Sequence, residues 1–288
     1  MNRYSPIRDR EEWAIQIKSD QPALDFRLSE ILKYRDLVWL FVKRDLVVTY
    51  KQTILGPLWV ILSPVLTTIL FSIVFGRIVG ISTDGVPILL FYMSGVLAWG
   101  FFSDCLTSTS RTFVDNVETF SKIYFPRAIV PISGVLSAGI RLLVQLAVFA
   151  IVYFYYWKQG EVDIPGVRVL LSVPLFLILI ILSLGLGFLY ASITSKYRDL
   201  LILLPIIIQL GMYLSPVVYP ISEIPGNFQN VLGWNPLVPI FESLRFVWFG
   251  TGFLDVSAFW YSGVLSLILV TAGLAVFHSV ERKFLDTV

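Results

Sequence analysis

Five stretches of this chain, Gln52–Gly76, Gly85–Ser103, Val169–Ser195, Leu200–Ser222 and Val256–Val280, contain no Asp, Glu, Lys or Arg, and a sixth, Ile132–Trp157, contains only Arg141. Roughly 20 apolar residues cross a hydrocarbon core ~30 Å thick, where no water satisfies a free backbone N–H or C=O, so stretches of this length read as membrane helices. The expected class is an all-α membrane protein with six transmembrane helices, at about 54–79, 86–108, 132–157, 169–195, 200–220 and 256–280. A hydrophobic content of 56% with 15% charged residues places the chain far outside soluble averages.

The polar remainder sets the orientation. Residues 1–53 form a polar arm followed by a helical pattern over Leu28–Lys51, where Leu32, Val38, Trp39, Phe41, Val42 and Leu46 oppose Lys33, Asp36, Lys43, Arg44 and Lys51. A basic helix with aromatic residues opposite its charges lies in the headgroup plane. Lys and Arg number 17 on the side of the chain ends and four on the other, so both termini are expected in the cytoplasm. The loop at 111–131 carries Val114, Val117, Phe120 and Tyr124 at helical spacing with a Glu118/Lys122 pair, closed by Pro126, and reads as a short amphipathic helix.

Cys105 and His278 are the sole cysteine and histidine, which removes disulfide frameworks, zinc clusters and Cys/His catalysis together. No catalytic, metal-ligating or cofactor-binding residue is expected on the chain, and a net charge of +2 gives no argument for nucleic acid.

The segment 221–252 is too broken by Pro225, Pro236 and Pro239 to span, yet too apolar for an ordinary loop. Asn235 suits a helix cap, Pro236 or Pro239 the first helical position and Gly250 the end. Ile240, Phe241, Leu244, Val247 and Trp248 then share one face, with Glu242 and Arg245 together opposite. Irregular backbone dips into a membrane only where protein or water surrounds it, so the expectation is a re-entrant hairpin closing the outer mouth of a pathway.

Four motifs in this order, VTYKQTILGPLWVILSPVL at 48–66, SKIYFPRAIVP at 121–131, YRDLLILLPIIIQLGMYLSPVVYP at 197–220 and WNPLVPIFESLR at 234–245, give the chain a family likeness. It resembles the type 2 ABC exporter permeases that move polysaccharides and polyol phosphates, such as O-antigen, capsule and teichoic acid exporters. The resemblance implies a homodimer with two cytoplasmic ATPase subunits, a channel along the dimer axis for a lipid-linked glycan, and a bacterial inner-membrane location. It also implies that the 32–51 helix is a cytoplasmic interface helix and that the 114–124 helix couples to the ATPase, through Val117, Phe120, Tyr124 and Phe125 with Arg127 at the rim. No G-x-x-x-x-G-K-[ST] loop occurs, so ATP and Mg belong to the partner.

A conduit for a glycan suits aromatic side chains and few fixed charges. Phe71, Phe75, Tyr92, Trp99 and Tyr213 are the candidate lining residues. Asp104 and Arg141 are the charges deepest within spans, and their depth in adjacent spans predicts either a structural pair or a contact with a lipid diphosphate. The competing class is an integral-membrane glycosyl- or lipid-transferase. Such chemistry needs a positioned acid or base and often clustered carboxylates, whereas Asp104, Asp115, Glu118, Glu161, Asp163, Glu223 and Glu242 are scattered with no D-x-D pattern.

Overall fold

The computed structural model describes residues 33–51, 53–123, 125–252 and 255–285; the arm before residue 33, with Leu32, and the candidate anchor Tyr124 lie outside them. Every regular element among the described residues is helical. Five segments are long and apolar enough to cross a membrane: Gly56–Val79, Ile88–Ser110, Ile129–Lys158, Gly166–Thr194 and Val256–Glu281. The expected crossing at 200–220 contains instead a helix of 14 residues, Leu200–Tyr213. At 1.5 Å per residue it is about 21 Å long, short of the hydrocarbon thickness. The chain then folds into turns in which Ser215, Pro216, Val217 and Val218 are buried.

We number the α-helices α1 (Arg35–Tyr50), α2 (Trp59–Phe71), α3 (Ile88–Ser110), α4 (Thr112–Asp115), α5 (Val117–Lys122), α6 (Ile129–Lys158), α7 (Ser172–Thr194), α8 (Leu200–Tyr213), α9 (Gly226–Leu232), α10 (Leu237–Phe249) and α11 (Val256–Leu285). A 3-10 turn, Gly56–Leu58, leads into α2, and a π-helical stretch, Ser72–Val79, continues it.

Fifteen of the 23 residues of α3 are buried, which makes it the axis of the bundle, packed by α7, α6 and α2. Small residues set the close crossings, as in other membrane bundles. A Cβ on Gly187 would sit 2.5 Å from that of Thr109, and one on Gly185 would sit 2.6 Å from the backbone nitrogen of Val270. These two glycines thus let α7 approach α3 and α11 closely. By contrast, Leu204 is the one buried residue of α8, and Ile202, Leu203, Ile206, Ile207 and Leu210 are exposed apolar side chains.

Pro64 lies inside α2 and has no N–H for the Val60 carbonyl. Gln145 of α6 supplies the missing donor: its Nε2 bonds that carbonyl at 3.1 Å. Backbone left unsatisfied by proline is thus completed across two helices.

The connections gather at two ends. Ser222 bonds Asp84 at 3.0 Å, and Trp248 Nε1 bonds Ser172 Oγ at 2.8 Å, which brings the α2–α3 turn, the start of α7 and the 214–252 segment together. At the opposite end Thr194 Oγ1 bonds the Ser110 carbonyl at 3.3 Å and Arg127 reaches the Glu281 carbonyl at 3.2 Å.

Candidate functional site

Two cavities lie along one side of α3. One, about 480 Å³, is lined by Trp59, Ser63, Pro64 and Thr67 of α2, by Val96, Trp99, Gly100 and Asp104 of α3, by Arg141 and Gln145 of α6, and by Met212. The other, about 340 Å³, adds Ser103, Thr107 and Arg111 with Leu204, Ile208 and Gln209 of α8, and it shares Trp99 and Met212 with the first. They form one groove with hydroxyls, amides and indoles along it. From Val96 to Arg111, at 1.5 Å per residue, it follows α3 for about 22 Å.

The two charges expected to be deepest do meet. Arg141 Nε and Nη2 bond Asp104 Oδ2 at 3.0 and 2.9 Å. Both line the cavity, and the carboxylate is the more exposed member: the Asp104 side chain keeps 46% of its exposure and Arg141 only 18%. The second arginine of the groove, Arg111, is held by Asp115 at 2.8 and 3.0 Å. That hydrogen-bonded carboxylate raises the Arg111 guanidinium above its ordinary range.

The candidate lining aromatics divide. Phe71, Phe75 and Tyr92 form one cluster, with ring centroids 5.4 to 6.5 Å apart, and Phe71 and Tyr92 are buried within the chain's own core. Trp99 is mostly buried against Phe102 and Phe241, yet it borders both cavities. Tyr213 is exposed at the end of α8. Trp59, which the sequence reading did not single out, is 43% exposed and lines the groove. Its signal was its place beside the Gly56-Pro57 breaker.

At the far end, the 214–252 segment closes over the bundle. Asn235 caps α10 as expected: its Oδ1 accepts the Leu237 N–H at 3.0 Å, while Nδ2 donates to the Leu214 carbonyl at 2.9 Å. Pro236 sits one residue before the helix, its carbonyl accepting Ser262 Oγ at 2.8 Å, and Gly250 ends it in the left-handed region. Glu242 and Arg245 share a side of α10, but that side is buried too. Arg245 Nη1 bonds Glu242 Oε1 at 2.7 Å and the Tyr219 carbonyl at 3.3 Å, Nη2 bonds the Pro216 carbonyl, and the guanidinium lies 4.2 Å from the Phe91 ring centroid. Glu242 Oε1 also accepts the Ile221 N–H at 3.3 Å. The pair thereby pins the turn after α8 to α10 and α3. Asp255 caps α11 with Oδ1 bonded to the Ser257 N–H at 2.8 Å, and the bonds from Ser257 hold its carboxyl below the usual carboxylate range.

At the near end, the single amphipathic helix expected over 114–124 is broken into α4 and α5 at Asn116. The buried Asn116 Nδ2 takes the Thr112 carbonyl at 3.1 Å, which a continuing helix would have used, and Arg44 of α1 lies against Asn116 Oδ1 at 3.4 Å. Phe125 is turned inward against Phe41 and Phe120, at 5.7 and 5.6 Å. Arg127, expected at the rim, is buried, with its guanidinium 5.1 Å from the Phe120 ring centroid and its N–H bonded to Glu281 Oε1 at 3.3 Å. Val117 and Phe120 are half-buried; Glu118, Ser121, Lys122 and Ile123 face outward. Phe113 stacks on Phe277 of α11 at 4.6 Å, a contact between residues too distant in sequence for spacing to reveal.

Residues 36–249 match the family described as ABC-2 type transporter. Among curated relatives, the O-antigen export system permease protein RfbA of Klebsiella pneumoniae is 26% identical over 255 residues, covering 87% of this chain and 94% of that protein. The polysialic acid transport protein KpsM of Escherichia coli is 25% identical over 245 residues, 85% of this chain and 93% of its own. The capsule polysaccharide export inner-membrane protein CtrC of Neisseria meningitidis is 22% identical over 260 residues, 86% and 92% respectively.

Proposed function

Because the chain belongs to the ABC-2 type transporter family, we propose that it is the transmembrane permease of an ATP-driven exporter that moves a lipid-linked cell-surface polysaccharide across the bacterial inner membrane. One observation carries the reading: a groove lined by hydroxyls, amides and indoles follows the central helix, bordered by α2 and α8, whose outward faces are apolar and exposed among the described residues. A second copy packed on those faces converts two grooves into one conduit. In this arrangement α8 and the buried turn after it complete a sixth crossing, and both termini lie in the cytoplasm.

The 221–252 hairpin serves as the outer closure, held by Asn235, Pro236, Glu242 and Arg245. The loop at 111–131 is the cytoplasmic contact for a separate ATPase, which carries ATP and Mg. Its outward residues Glu118, Ser121, Lys122 and Ile123, with Val117 and Phe120 beneath them, are the docking edge; Phe125 and Arg127 transmit its movement to α1 and α11. The scattered carboxylates give no support to the transferase alternative.

The test is purification from native membranes. An ATPase subunit should copurify, and Ile123→Cys should cross-link to it and not to lipid-exposed partners. A chain that purifies with no ATPase, and that transfers sugar or lipid by itself, would overturn the reading.

A further inference from the structure

Resting on the exporter reading, the chemistry of the groove selects among cargoes. Among the described residues its lining contains two cations, and each is already committed: Arg141 to Asp104 and Arg111 to Asp115. Both bonds from Arg141 converge on Oδ2 of Asp104, and no described residue bonds Oδ1. What the lining otherwise offers is neutral: Ser63, Thr67, Ser103, Thr107, Gln145 and Gln209. An anion inside such a groove leaves water and gains no counter-charge, and it meets a carboxylate first, which is strongly unfavourable. A neutral sugar meets acceptors for its hydroxyls and an aromatic face for its apolar ring side.

We propose that Asp104 is a hydroxyl-reading station for an uncharged glycan, with Oδ1 accepting from hydroxyls of a passing pyranose and Trp59 packing against its C–H face. Arg141 is the positioning residue that orients the carboxylate through its two bonds to Oδ2. The groove therefore admits neutral polysaccharide and rejects a polyanionic one such as a sialic acid polymer. The lipid diphosphate, carried once per chain, is not what this pair reads.

The purified full-length chain is titrated with two probes of equal length, a neutral oligomannoside and an oligosialic acid, following tryptophan fluorescence and, independently, calorimetry. The neutral probe should bind at least tenfold more tightly. Asp104→Asn keeps the shape but strips the compensating charge from Arg141. Because a hydrogen bond to a charged acceptor is stronger than one to a neutral amide, neutral affinity should fall about tenfold or more. Oligosialic acid affinity should rise in the same variant. Trp59→Ala, which leaves the ion pair intact, should weaken the neutral probe only, and Trp59→Phe should restore most of it. Equal binding of both probes, tighter binding of the anion, or no binding of either overturns the proposal. Copurification of an ATPase is read separately, so an exporter with another cargo is distinguished from a chain that is no exporter.

Discussion

Arg245→Ala tests the outer closure most directly. The side chains of Arg245 and Glu242 are only 4% and 5% exposed, so neither ion has water to fall back on. Truncating the arginine leaves the Glu242 carboxylate with the Ile221 N–H at 3.3 Å, and strips the carbonyls of Pro216 and Tyr219 of their donor. Removing one partner of a buried pair costs about 3–5 kcal/mol, and each orphaned buried carbonyl adds about 1–3 kcal/mol where it does not find water. Replacing both partners, as Glu242→Leu with Arg245→Met, removes the unpaired charge and leaves the carbonyls of Pro216 and Tyr219 and the Ile221 N–H without partners, a smaller penalty than a buried lone carboxylate, so the double variant should be more stable than Arg245→Ala. Unfolding of the protein in lipid nanodiscs, read as a double-mutant cycle, should give a coupling of about 2 kcal/mol or more, in the range found for groups in contact. Glu242→Gln, which keeps one acceptor oxygen for Arg245 Nη1 and the Ile221 N–H, should lie between wild type and Arg245→Ala. Additive effects with a loss below about 1 kcal/mol would refute the reasoning, because they would mean that the pair is solvated and the hairpin open.

Gln145→Leu should cost about 1–3 kcal/mol in the same assay by orphaning the Val60 carbonyl, and Pro64→Ala in that background should recover most of it by restoring the helix N–H; no recovery would separate Gln145 from the proline. Gly187→Leu should abolish folded expression, since a Cβ alone would sit 2.5 Å from that of Thr109, whereas Gly100→Ala, with nothing within 4 Å, should be neutral. Arg127→Ala removes the bonds to Glu281 and should lower cargo-stimulated ATP hydrolysis of the reconstituted complex while leaving ATPase copurification intact; loss of copurification would assign Arg127 to the docking edge itself.

The helices were legible because hydrocarbon tolerates so few solutions: long uncharged stretches have no alternative to a helix. The Asp104–Arg141 pair was legible for the same reason, since two isolated charges at similar depth in adjacent spans must find each other or water. What the sequence hid were the partners that decide burial. Glu242 and Arg245 look like a polar face by periodicity, and only the fold brings the 216–221 turn over them. Phe125 is an anchor by the family resemblance, yet Phe41, from a helix far earlier in the chain, covers it. Asn116 breaks the loop helix through a side-chain bond that helical spacing does not register. The premature end of α8 has a local cause, since Pro216 and Pro220 follow within seven residues of Tyr213 and the intervening turn is drawn inward by Arg245.

These placements also fix which parts of the molecule can move together. α3 runs almost directly into α4 through Arg111, and Phe113, next in line, is stacked on α11. The same loop enters α6 beyond Arg127, whose bonds reach Glu281. A displacement of 111–128 therefore carries α3 and α6 as a unit, and with them Asp104 and Arg141, so the geometry of that pair survives the movement. α8 is joined to α3 and α7 only sparingly and buries one residue, while α2 is tied to α6 through the Val60–Gln145 bond. The wall formed by α8 is thus the one with least to lose on displacement, and widening there enlarges the groove while leaving the hydroxyl-reading carboxylate in place. A conduit for a repetitive neutral polymer needs that combination: a fixed station that each sugar meets in turn and a wall that yields to whatever branches the polymer carries.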